Sequence, residues 1–150
     1  MIRLIYVSKA LSAFPAGLKD ILNSSRKNNV ALGITGALCL LDGVYLQYLE
    51  GPTIAVEDLY RRIAVDPRHT ESRLLERHGI TERLFTSWSM ALVTWNEETR
   101  AIFGAFSAAE KPDLYSLTGK NAASTFEALA RSSNWLELKG GGAGAANAAD

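Results

Sequence analysis

Gln47 is an amide in the middle of an otherwise apolar run, Val44-Tyr45-Leu46-Gln47-Tyr48-Leu49. Strand alternation puts Tyr45, Gln47 and Leu49 on one face of that run, and Leu4 and Tyr6 on one face of the N-terminal apolar run. A buried glutamine costs free energy unless both ends of its amide find partners. A phenol satisfies one end, and Tyr6 supplies it if the two runs are neighbouring strands. A polar ligand satisfies the other, with Asn29 reaching in from a helix. The chemistry on offer is hydrogen-bond exchange, since an amide that rotates or tautomerises swaps a donor for an acceptor. Each residue taken singly has a plainer reading. A strand glutamine is more often an edge or hydrogen-bonded core residue, and a strand tyrosine more often a core aromatic.

Other chemistry is missing. His69 and His78 stand apart, without the partners of a zinc site. No GxGxxG follows a strand, no GxxxxGK[ST] occurs, and no serine elbow appears. The nearest candidates for catalytic carboxylates are Glu50 and Asp66, and each also reads as a surface charge or a cap. An enzyme therefore has little support, and none is expected.

The elements that must position Tyr6, Gln47 and Asn29 follow from periodicity. Ile2 to Val7 reads as a buried strand. Phe14-Pro15 opens a helix on which Leu18, Ile21, Leu22 and Ser25 share a face that Asn29 extends. Gly33 to Leu41 is a second strand, Asp42-Gly43 a two-residue hairpin turn, and Val44 to Leu49 the returning strand. Gly51-Pro52-Thr53 starts a second helix with the stripe Val56, Leu59, Tyr60 and Ile63, and Pro67 ends it. Arg73 to Thr81 and Ser87 to Trp95 are further strands. The order predicts an α+β fold: a ferredoxin-like βαββαβ sandwich with an added fifth strand and a C-terminal helical appendage. Connection rules place the first and third strands side by side and both helices on one face. Helical patterns over Glu97 to Phe106 and Ala122 to Ala130 make the appendage, and Gly140 to Asp150 reads as a disordered Gly/Ala tail.

Composition narrows the partners. Of 150 residues, 47% are hydrophobic and the formal net charge is zero, which disfavours nucleic acid. The single cysteine, Cys39, has no disulfide partner and fits a small buried residue in a reducing cytoplasm. The longest uncharged apolar stretch, Val30 to Leu41, is too short to cross a membrane.

Several separated motifs resemble the BLUF family of blue-light sensors using FAD. They are Arg3-Leu4-Ile5-Tyr6, Ser25-Arg26-Lys27-Asn28-Asn29, Gly33-Ile34-Thr35-Gly36, Gly43 through Gly51, Asp66-Pro67-Arg68-His69 and Trp88-Ser89-Met90. The resemblance spans residues 1–95 and implies a non-enzymatic photoreceptor that binds FAD without a covalent bond. It implies that Tyr6 is the photoactive tyrosine and Gln47 the switch glutamine between Tyr6 and the flavin. It implies flavin contacts from Asn29, Asn28, Ser25, Ile21 and Ile63, with Arg62 and Asp66 toward the ribityl and phosphate end. Trp88 and Met90 would carry the signal from the fifth strand. Plainer readings stand beside these. Arg62 and Asp66 have the spacing of a surface ion pair, Arg68 and His69 that of solvated helix-end charges, and Trp88 and Met90 fit a simple core.

The expected organisation is a flavin-binding domain over 1–95, a helical appendage over 96–139 and the tail over 140–150. With no output enzyme recognised, the signal is expected to pass to a separate downstream signalling protein or through a homo-oligomer. Two rivals share the fold: an RNA-binding module stacking bases on Tyr45 and Tyr48, and a small enzyme or ligand-binding regulatory domain.

Overall fold

The computed structural model describes residues 1–10, 23, 27–86, 89–106, 113–132 and 135–137. Its strands are β1 (Ile2–Ala10), β2 (Thr35–Leu41), β3 (Val44–Gly51), β4 (His69–Gly79), β5 (Ala91–Val93) and β6 (Trp135–Glu137). Its helices are α1, described over 27–32, α2 (Thr53–Ala64), α3 (Glu97–Ala105) and α4 (Gly119–Ala130), with a 3-10 turn at Leu114–Ser116.

The sheet order is β4-β1-β3-β2-β5-β6. The first four strands have the ferredoxin-like arrangement, and β1 and β3 are antiparallel neighbours as the connection rules require. Asp42 and Gly43 both take positive φ (52° and 75°), the geometry a tight two-residue hairpin needs. Their turn sets the β2–β3 register with Leu41 opposite Val44.

Alternation divides the core. Leu4, Tyr6, Leu38, Tyr45, Leu49 and Met90 face one side, where Val56 of α2 is buried and Leu32 of α1 packs against them. Leu59, Tyr60 and Ile63 of α2 join this layer, so the predicted stripe is the buried one. Ile5, Val7, Cys39, Leu46 and Tyr48 face the other side, against Phe103 of α3, Leu114, and Phe126 and Leu129 of α4. The C-terminal helices thus cover the second face of the sheet. Their starts are capped. Asn96 and Thr99 form a reciprocal capping box at α3, and Thr118 Oγ1 accepts from Asn121 N at 3.1 Å before α4.

Several boundaries move. The fourth strand begins at His69 rather than Arg73, because its polar N-terminal half pairs with Lys9 and Ala10. Glu71, at φ 52°, stands within an irregularity of that ladder, which blurs the alternation a sequence reading relies on. The fifth strand is only Ala91–Val93, and α4 starts three residues before Ala122. β6, which pairs antiparallel with β5, was not anticipated. The body of the first predicted helix and the Gly/Ala tail lie outside the described residues.

Candidate functional site

A cleft of about 220 Å³ opens between the sheet and helices α1 and α2. Tyr6, Leu38, Tyr45 and Gln47 form its floor, and Asn28, Asn29, Leu59, Arg62 and Ile63 line it from the helices. Asp66, Arg68 and His69, which lead from α2 into β4, complete it.

The floor is set by the β1–β3 ladder, in which Tyr6 and Gln47 lie directly opposite. Such a pair on one face brings side chains into contact. The Tyr6 hydroxyl donates to Gln47 Oε1, and Gln47 Nε2 donates to the Met90 sulfur at 3.4 Å. All three residues are buried. Burial, reinforced by Tyr60 and Tyr45 nearby, pushes the Tyr6 phenol far up, so it holds its proton throughout the physiological range.

Asn29 is fully buried at the wall. Its Nδ2 donates to Ser89 O at 3.4 Å, while Oδ1 has no hydrogen-bond partner among the described residues. A buried acceptor left unpaired costs about 1–3 kcal/mol, so this atom is suited to an N–H from a molecule in the cleft. The rest of the lining fits a planar heteroaromatic group. Tyr6, Leu38, Leu59 and Ile63 give apolar walls, and Asn28, Arg62, Arg68 and His69 give polar groups at the rim.

Asp66 accepts from Arg68 Nε at 3.0 and 3.1 Å and from Arg68 N at 2.9 Å. These bonds hold its carboxyl below the usual range. The plainer reading of Arg62 and Asp66 as a surface ion pair gives way to a local Asp66–Arg68 pair, and Arg62 is exposed at the cleft. His69 is not a solvated helix-end charge either. It is half-buried, its Nδ1 is 2.8 Å from Ser8 Oγ, and it meets the Tyr45 ring edge-on at 5.9 Å. Burial lowers its pKa, with Asp66 opposing and Arg68 adding to the shift.

Among the predicted site residues, Tyr6, Gln47, Asn28, Asn29, Arg62, Ile63 and Asp66 line this one cleft, and Met90 contacts Gln47. Ser25, Ile21 and Trp88 lie outside the described residues. Tyr45, Arg68 and His69 belong to the lining but were not assigned to the site. The signal for Arg68 and His69 was the Asp66-Pro67-Arg68-His69 run directly after α2, and for Tyr45 the alternation that puts it on the face of Gln47. Glu50 departs most from its reading as a surface charge. It is fully buried, accepting from Leu84 N and Phe85 N, each at 2.7 Å, and from Thr35 Oγ1 at 2.9 Å. The RNA rival fails on geometry: Tyr45 and Tyr48 are buried on opposite faces of a sheet covered on both sides.

A ferredoxin-like sheet with a polar-floored cleft beneath its helices is the class the fold defines. The family model described as "BLUF: Sensors of blue-light using FAD" matches residues 1–91. The chain belongs to the BLUF family of photosensors. It is 36% identical over 102 residues to photoactivated adenylate cyclase subunit beta of Euglena gracilis. That match takes in 67% of this chain and 12% of the cyclase subunit, so the chain spans about an eighth of that relative's length. Among solved structures, the photo-activated state of BlsA superposes with a TM-score of 0.81 at 28% identity, covering 91% of this chain and 99% of BlsA. The dark-state structure of the BLUF protein BlrB gives a TM-score of 0.64 at 35% identity, over 82% of this chain and 96% of BlrB. The matched region is a sensor, not an enzyme.

Proposed function

We propose that this chain binds FAD non-covalently in the cleft and reports blue light through the Tyr6–Gln47–Met90 chain of contacts. The observation that carries the reading is Gln47. It is a buried amide bonded to a phenol on one side and a thioether on the other, on the floor of a cleft lined by Asn29, whose Oδ1 has no partner among the described residues.

The flavin supplies the blue-light absorption and the electron-accepting excited state. Tyr6 stands as the donor, its proton held at a hydroxyl already aimed at Gln47 Oε1. Asn29, with Asn28 beside it, orients the polar edge of the ring, and Ile63, together with Ile21 and Ser25, lines its sides. Arg62 and Asp66 face the ribityl and phosphate end, and the Arg68 pair fixes the Asp66 carboxylate there.

Gln47 is the switch because its two ends differ. Rotating the amide turns its N–H toward Tyr6 and its oxygen toward the Met90 sulfur. Two lone-pair atoms then face each other where a donor had met an acceptor. Met90 must yield, and β5 follows it directly. Trp88, two residues before Met90 in the sequence, is assigned to the same relay. The two states bind a partner differently only if such a displacement reaches the surface. The output passes to a separate signalling protein, with residues 96–139 carrying it from the sensor unit over 1–95.

Titration of flavin-free protein with FAD tests the binding half. One FAD per chain, with fluorescence quenching and a structured visible band, is expected. Failure to take up any flavin would remove the basis of the reading.

A further inference from the structure

Glu50 and Gln47 share β3 but face opposite sides of the sheet, Gln47 over the cleft and Glu50 toward the C-terminal helices. Glu50 is fully buried, and its side chain accepts from Leu84 N, Phe85 N and Thr35 Oγ1, with the Tyr48 hydroxyl also against it. Merely closing a turn does not call for a charge at this depth, where desolvation is costly. What a carboxylate does, and an amide cannot, is accept from two consecutive backbone N–H groups with two oxygens. Oε1 takes Leu84 N and Oε2 takes Phe85 N.

Those two bonds fix Leu84 and Phe85, which lie a few residues before Ser89 and Met90 in the sequence. On the far face, the Phe85 ring meets Tyr48 at 5.2 Å and Phe126 of α4 at 6.3 Å. On the cleft side, Ser89 O accepts from Asn29 and the Met90 sulfur accepts from Gln47. Arg83 adds a second tie just before Leu84, donating to Gly33 O at 2.7 Å, to Thr35 Oγ1 at 3.1 Å and to Glu50 O at 3.3 Å.

We infer that Glu50 is a positioning residue that couples the switch to α4. By pinning residues 84–85 to β3, it makes a displacement of Ser89 and Met90 bear on Phe85 and Phe126 instead of being taken up as slack. The inference deepens the photosensor reading and rests on it.

The test is amide hydrogen exchange of the FAD-loaded full chain in darkness and under blue light, with the absorbance shift recorded on the same samples. The variants are Glu50→Gln and, as a milder change that keeps the carboxylate, Thr35→Val. The wild type is expected to show a light-dependent change in exchange over Gly119–Ala130. Both variants are expected to keep the absorbance shift. Glu50→Gln is expected to reduce the α4 response by about tenfold, the scale of one lost charge-assisted hydrogen bond, and Thr35→Val by less. A purely structural role would raise dark exchange but leave the light–dark difference at α4 in place. A wild-type shift accompanied by no α4 response, or by an α4 response unaltered in both variants, overturns the coupling role alone. A wild type without any light-driven shift overturns the photosensor reading, and the coupling role with it.

Discussion

Tyr6 and Gln47 face each other across the β1–β3 ladder, with the phenol donating to the amide oxygen and the amide nitrogen donating on to Met90. The two central strands meet so that a polar pair lies buried where an apolar pair would be cheaper. That pair is the floor of the cleft, and each side chain depends on the other for its hydrogen bond.

Tyr6→Phe removes the donor and leaves Gln47 Oε1 unpaired. It is expected to keep FAD, to lose the normal light-driven shift, and to cost about 1–2 kcal/mol of stability. Dark and illuminated spectra with a denaturant titration read both. A normal photocycle in this variant would remove Tyr6 from its role.

Gln47→Leu deletes the amide while keeping the volume roughly constant. The red shift is expected to vanish, since no donor–acceptor exchange is left. A persisting red-shifted photoproduct would count against Gln47 as the switch.

For Asn29→Ala, FAD affinity is expected to fall about tenfold or more, the scale of one buried hydrogen bond to a ligand. Fluorescence titration measures it. An unchanged affinity and an unchanged dark spectrum would show that Asn29 Oδ1 does not meet the flavin.

Gly36 has no room for a side chain. A Cβ there would lie 2.0 Å from Tyr48 O and 3.3 Å from Met90 Cε. Gly36→Ala must push β3 or displace Met90, and is expected to cost at least about 2 kcal/mol in thermal or chemical unfolding. A variant of wild-type stability would mean that the β2–β3 contact is looser than described.

Acid should weaken the flavin-free fold partly through His69. Its folded pKa lies below the ordinary 6.5, so the unfolded chain binds the proton more readily. The contribution is complete above about 6.5 and is lost as pH falls through the lowered folded value. His69→Gln is expected to flatten the stability profile just below 6.5. An identical slope in the variant would contradict the burial argument.

Much of this was legible in the chain. A glutamine amid Val44–Leu49 and a tyrosine amid Ile2–Val7 declare their faces by alternation, and the crossover rule makes those strands neighbours. Glu50 was not legible: beside Gly51 at a strand end it looks like any surface charge, and only the return of Leu84 and Phe85 buries it. His69 was hidden because β4 is a polar edge strand with an irregular ladder, where periodicity says little. The packing of α3 and α4 on the far face depends on contacts between distant segments, such as Tyr48 with Phe126, that no local pattern encodes.

The most direct measurement is the visible spectrum of the FAD-loaded protein in darkness, under blue light and during recovery. A small red shift that forms in light and returns fully in darkness is expected. A flavin band that only bleaches, or does not respond to light, would contradict the Tyr6–Gln47 switch.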